Sequence, residues 1–126
     1  NCWILFADAM VLHFDDLSVA ARDRLLRCQA LAAASGVPRL DALASAWLAL
    51  LDYSRNDFVS MDRNVRRAVE VCAADDHLVL SRATMVIGLA YLFAGKSDSA
   101  DKWMRRCRAH NSALGDDSTW SSTLHN

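Results

Sequence analysis

The side chains able to do chemistry are present but scattered. Four His, at 13, 77, 110 and 125, never fall inside a short motif. The chain has no H-E-x-x-H, no G-x-S-x-G and no Gly-rich phosphate loop. His13 and His77 lie beside Asp pairs at breaks between apolar segments, where solvated residues at helix ends account for them. Asp15-Asp16, Asp75-Asp76 and Asp116-Asp117 would suit a cation, but they recur at segment junctions. There a carboxylate accepts the free N–H groups of a helix start and faces the positive end of its dipole. Cys2, Cys28, Cys72 and Cys107 form no C-x-x-C pair and have no His at metal-ligand spacing. Each sits among apolar residues and reads as a reduced core thiol, which fits a cytoplasmic location. No catalytic residue, metal site or cofactor is therefore expected.

Arginine comes in groups: Arg22, Arg24 and Arg27, then Arg63, Arg66 and Arg67, then Arg105, Arg106 and Arg108. A basic ridge of this kind could meet phosphates, with an affinity falling steeply with salt. Neighbouring Asp residues nearly balance it, and the net charge of the chain is −1. A solvated outer face is the expectation, with no nucleic acid as partner. No apolar run reaches the ~18 residues of a spanning helix, and no membrane contact is expected. Asn1 to Phe14 is apolar but carries Asp8 and lacks a basic leader, so it does not read as a signal peptide.

The elements that hold these residues are helices. The chain is 53% hydrophobic with one Pro and four Gly, a composition that suits an ordered all-helical domain. The stretch 78–110, LVLSRATMVIGLAYLFAGKSDSADKWMRRCRAH, organises it. Val79 to Ala94 is apolar on nearly every side. Ser99 to His110 carries one apolar stripe of Ala100, Trp103, Met104 and Cys107. Gly95-Lys96-Ser97-Asp98 separates them, with Gly as helix stop and Ser97 or Asp98 as the next cap. This predicts a helical hairpin. Gly88, costly in a helix interior by about 1 kcal/mol, implies close approach of the second helix, with Ala100 as the small residue facing it.

Sliding the chain by about 39–40 residues superposes three such pairs. Arg24–Cys28 meets Asn64–Ala68, which meets Trp103–Cys107; Leu48-Ala49-Leu50 meets Ile87-Gly88-Leu89. The first pair is Cys2–Phe14 with Leu17–Ser35, broken by Asp15 and Asp16. The second is Arg39–Ser54 with Val59–Ala74, turned at Asn56 and Asp57, with Pro38 at its start. Ser118–Asn126, with Trp120 and Leu124 four apart, begins a partial seventh helix. The units run 1–36, 37–76 and 77–116, and 117–126 opens a fourth or caps the stack. The chain starts without Met and its last periodic segment stops early, which suggests a single domain cut from a longer protein.

The spacing Ile87-Gly88, Tyr91, Ala100, Met104 resembles the tetratricopeptide pattern of Leu-Gly, Tyr, Ala and Phe. Thr84 stands where that family often has Trp, and Ser112 where Pro is common. The resemblance implies an all-α fold, a right-handed α-α superhelix of three antiparallel helix pairs plus the partial seventh helix. It also implies that the first helix of each pair lines a concave inner surface. Carried onto this register, that surface comprises Ile4, Ala7, Val11 and Phe14, then Leu43, Ala46, Trp47, Leu50 and Tyr53, then Arg82, Met85, Leu89, Leu92 and Phe93. Arg82 is the only cation there, too few for a clamp on a peptide's terminal carboxylate. The apolar remainder suits an amphipathic helix or apolar peptide, from a partner or from the same protein. Tight stacking or a homodimer is the other expected way to cover it. The forty-residue units also resemble helical-repeat sensor regions of bacterial transcription regulators and second-messenger enzymes. That likeness implies a small effector or dimerisation controlling an output domain absent from this chain.

Overall fold

The computed structural model describes residues 2–14 and 18–117, with side chains throughout except at Leu12, Phe14, Ser18, Asp116 and Asp117. All elements are helical: α1 (Cys2–Phe14), α2 (Ser18–Ser35), α3 (Pro38–Ser54), α4 (Phe58–Val71), α5 (His77–Phe93) and α6 (Ser97–Asp117). No strand occurs among the described residues. The expected cap at Asp15 and Asp16, the start at Leu17 and the seventh helix with Trp120 and Leu124 lie outside them.

Three helices stop by the same device. A residue with positive φ follows the helix, namely Gly36 (67°), Asn56 (61°) and Gly95 (77°). The next amide then donates back over five residues: Val37 to Ala32 O at 2.9 Å, Asp57 to Asp52 O at 2.9 Å, Lys96 to Tyr91 O at 2.9 Å. These bonds satisfy carbonyls that the helix end leaves open. Starts are equally local. Pro38 opens α3, and Asp57 and Asp76 accept from the amides of Ser60 and Val79.

Two boundaries differ from expectation. α4 ends at Val71 rather than Ala74, because Cys72 turns extended (φ −74°, ψ 156°). α6 runs past His110 and through Gly115, and Ser97 and Asp98 sit in its first turn instead of capping it.

The helices pack as consecutive pairs, α1 with α2, α3 with α4 and α5 with α6. α3 also lies against α2 and α5, and α5 against α4. α3 is the centre, with eleven of its seventeen residues buried. One core cluster joins Ala9, Leu25, Cys28, Leu40 and Leu48, and a second joins Ala49, Met61, Val65, Ala83 and Val86. Each fully buried Leu contributes about 1.5–3 kcal/mol. The Cys28 thiol donates to the Cys2 carbonyl at 3.3 Å, and burial, then Cys2 and Asp41, push its pKa up to about 11. All four thiols are free. Among the described residues no helix is long and apolar enough to cross a membrane.

Gly88 is buried, and the atoms nearest to it across the helix pair belong to Met104. A Cβ at Gly88 would lie 2.9 Å from Met104 Cε and 3.2 Å from its Cγ and Sδ. The missing side chain makes room for Met104.

Candidate functional site

The expected inner surface divides into three parts. Leu43 and Ala46 are not surface residues: they are 5% and 0% exposed and belong to the first core cluster. The reason is that α3 is enclosed by α2, α4 and α5, so positions next to its open edge are already covered. Leu50 and Tyr53 are half-buried and pack on the second cluster beside Phe58 and Ile87. Leu92 and Phe93 are exposed at 58% and 63%, and Leu89 is half-buried between them and Met85. Ile4, Ala7 and Val11 on α1 are exposed. Of Phe14 only the backbone is described.

Trp47 joins three helices. The His13 ring meets it edge-on with centroids 5.3 Å apart, and the Arg82 guanidinium lies 4.3 Å above it from α5. A guanidinium over an indole face is attracted by the ring quadrupole, the more so when water is excluded. Arg82 also reaches Met85 Sδ at 3.7 Å. Among the described residues no carboxylate pairs with it, and burial holds its pKa below the ordinary arginine value, Cys107 acting weakly the other way. Arg82, Met85, Leu89 and Leu92 recur at three- and four-residue steps and so share one face of α5. Tyr53, Phe58 and Phe93 continue this line, with centroids 6.2 Å and 5.4 Å apart.

The structure also contains a buried polar chain that the sequence reading missed. Asp52, wholly buried in α3, accepts from Arg22 Nε at 2.9 Å and Asn64 Nδ2 at 2.8 Å. Gln29 Nε2 donates to Asn64 Oδ1 at 3.1 Å and to Ser45 Oγ at 2.8 Å. Ser45 Oγ donates to the Asp41 carbonyl at 2.8 Å, and Arg67 grips the Asp41 carboxylate with two bonds of 2.9 and 2.7 Å. That grip raises the Arg67 pKa. The signal was available: Asp41, Ser45 and Asp52 stand four and seven apart, one stripe on an otherwise apolar helix. The same bonds break up the basic ridge. Arg22 and Arg67 are taken by α3 carboxylates, Arg27 pairs with Asp23, and Arg66 with Asp62.

Two clefts lie between successive second helices. The α2/α4 cleft, ≈ 490 Å³, is walled by Gln29, Asn64, Arg63, Arg67 and Glu70. The α4/α6 cleft, ≈ 480 Å³, has α5 as its floor and is walled by Phe58, Met61, Val65, Ile87, Tyr91 and Trp103. Asp62, Arg66 and Lys96 stand among its lining residues, and Arg106 lies 4.4 Å over the Trp103 ring.

His77 and His110, distant in sequence, bring their Nδ1 atoms to 3.0 Å. Burial and then His77 hold the His110 pKa below its ordinary value. Among the described residues no three His, Cys, Asp or Glu side chains gather as a cation would require. What the arrangement offers is apolar and aromatic surface with a few desolvated cations. Compared with protein-family models, curated proteins and solved structures, the chain gives no match in any of the three.

Proposed function

We propose that this chain is a non-catalytic docking module of tetratricopeptide type, its three helix pairs stacked in a right-handed superhelix. Its inner surface holds an amphipathic helix or apolar peptide from a protein partner. The observation that carries this reading is the line Trp47–Arg82–Met85–Leu89–Leu92–Phe93. It joins a desolvated guanidinium to large exposed apolar side chains, and Arg82 has no carboxylate beside it among the described residues. A partner helix with apolar anchors for Leu89, Leu92 and Phe93, and one acidic residue for Arg82, complements that line in both shape and charge. The charge-assisted bond to a half-buried guanidinium is the stronger kind.

The test is selection of helical peptides on the immobilised protein, followed by measurement of the winners on variants. Selected peptides are expected to carry an acidic residue within an apolar stripe. Leu92→Asp is expected to weaken them about tenfold or more without lowering the melting temperature, since Leu92 is exposed. Arg82→Met is expected to erase the preference for the acidic residue. Peptides indifferent to both substitutions would reject the proposal. A dimer in solution that Leu92→Asp dissociates would assign the surface to a second copy instead.

A second reading is favoured by the α4/α6 cleft: a sensory region of a bacterial signalling protein that answers to a small effector.

A further inference from the structure

The α4/α6 cleft lies between successive second helices, as the α2/α4 cleft does. Its counterpart one unit earlier is a cleft of ≈ 330 Å³ walled by Val19, Arg22, Asp23, Leu26 and Arg55, where Arg22 bonds Asp52. At the α2/α4 cleft, Gln29 from α2 bonds Asn64 of α4, and Asn64 bonds Asp52 of α3 below it. At the α4/α6 cleft the positions one unit later than Asp52 and Asn64 are Tyr91 and Trp103. They stand as aromatic walls, and no hydrogen bond between described residues spans the gap from α4 to α6. The α4/α6 cleft is therefore an apolar space of ≈ 480 Å³, within the size range of small-ligand sites.

Its charge is one-sided. Arg66 is neutralised by Asp62 at 2.9 Å, both exposed at the rim. Lys96, the residue before α6, lines the same cleft and pairs with no carboxylate among the described residues. Aromatic walls with one unneutralised ammonium at the edge select a ligand with an apolar body and a single negative group. We propose that the α4/α6 cleft binds a small amphipathic acid, an aryl or medium-chain alkyl carboxylate. Its body packs between Tyr91 and Trp103 over Ile87, and its carboxylate faces Lys96. This inference rests on the effector-sensing reading and uses a different face of α5 from the inner surface: Ile87 and Tyr91 lie on the side opposite Arg82, Met85 and Leu89, and only Phe58 borders both.

The test uses the full chain and three probes: 1-naphthoate, decanoate and the uncharged 1-naphthalenemethanol. Binding is followed by the NMR shifts of assigned amides and indole N–H groups. Both acids are expected to saturate, to move Ile87, Tyr91 and Trp103, and to leave Trp47 and Leu92 in place. The alcohol is expected to bind about fivefold more weakly, the contribution of one rim charge. Lys96→Ala removes that difference. Ala94→Trp, at an exposed position lining the cleft, weakens all three probes about tenfold while the helical circular dichroism is retained. Equal binding of acid and alcohol to the unaltered chain overturns the inference. Displacement of 1-naphthoate by the peptides selected on the inner surface also overturns it, making the cleft part of a protein interface. Shifts confined to the α2/α4 cleft overturn it while leaving effector sensing intact. Shifts nowhere at millimolar probe overturn both.

Discussion

Moved by thirty-nine residues, the junction of α2, α3 and α4 falls on the junction of α4, α5 and α6, and the positions that coincide carry opposite chemistry. Asp41 becomes Leu80, Asp52 becomes Tyr91 and Asn64 becomes Trp103. One feature survives the shift. Ser45 Oγ donates to the carbonyl four residues back at 2.8 Å, and Thr84 Oγ1 does the same at 2.7 Å. Arg67 and Arg106 also correspond, but among the described residues only Arg67 finds a carboxylate; Arg106 lies over Trp103. The first junction is tied by directional bonds that fix one arrangement. The second has polar contacts between α5 and α6, Ser81 with Asn111 and His77 with His110. Among the described residues, however, α4 meets α5 and α6 without a side-chain hydrogen bond, through apolar contact, which is non-directional and leaves a cleft. A rigid joint beside an adaptable one places adaptability where a ligand would use it.

The comparison breaks most visibly at Asp52. Removing its carboxylate in Asp52→Ala leaves Asn64, and Arg22 at 20% exposure, without their acceptor. A loss of about 3 kcal/mol is expected from urea unfolding. Tyr91→Leu, the corresponding position, should cost less than about 1.5 kcal/mol because only apolar volume changes. Equal losses at the two sites would mean that the polar chain fixes nothing.

Volume exchange offers a second, smaller test. The positions of Gly88 and Met104 correspond to Ala49 and Val65, a pair in which the first-helix residue is larger than Gly and the second-helix residue smaller than Met. Gly88→Leu is expected to cost about 2 kcal/mol, because Met104 cannot retreat from four added carbons. Gly88→Ala with Met104→Val transplants the first junction's pair into the second. The double variant should be more stable than the sum of the single changes predicts, by about 1 kcal/mol. Strict additivity in thermal melts would show that the two sites do not share one space.

Arg82 bridges the two halves through Trp47, and Arg82→Met keeps the apolar stem while removing the charge. The expected loss is about 1 kcal/mol, the ordinary worth of a partly desolvated cation–π contact. Trp47→Leu should cost about 1 kcal/mol less once Arg82 is Met, and a double-mutant cycle measures that coupling.

Much of this was legible in the sequence, and the division is physical. Apolar spacing at three and four residues gave six helices, and Pro38, Asn56, Asp57 and Gly95 gave their ends, because helix ends are set by nearby residues. The stop at Cys72 was not legible, since nothing in its side chain demands an extended backbone. The last helix read as ending at His110 and continues through Gly115. The polar chain was the larger omission. Gln29, Asn64 and Arg67 look like surface residues until α3 is placed against them. Likewise Leu43 and Ala46 read as groove residues, because periodicity gives the face of a helix and not how many neighbours enclose it.

The smallest expected effect again separates the junctions. His77 and His110 touch at the α5/α6 pair, while the corresponding positions hold Pro38 and Val71, which do not titrate. Burial and the neighbouring His77 keep the folded His110 from taking a proton as readily as an unfolded imidazole, whose ordinary value is 6.5. The unfolded chain therefore binds more protons, and stability falls as the pH drops through that value. The fall levels off once the pH is below the folded one. Urea midpoints at about pH 7.5 and about pH 5.5 measure the fall, and His110→Gln should reduce it. Hydrogen exchange places it: amides of α5 and α6 should lose protection at the lower pH while those of α2 and α3, tied by the polar chain, keep theirs. Uniform loss along the chain would mean that the two junctions open as one and that their different chemistry does not divide the molecule.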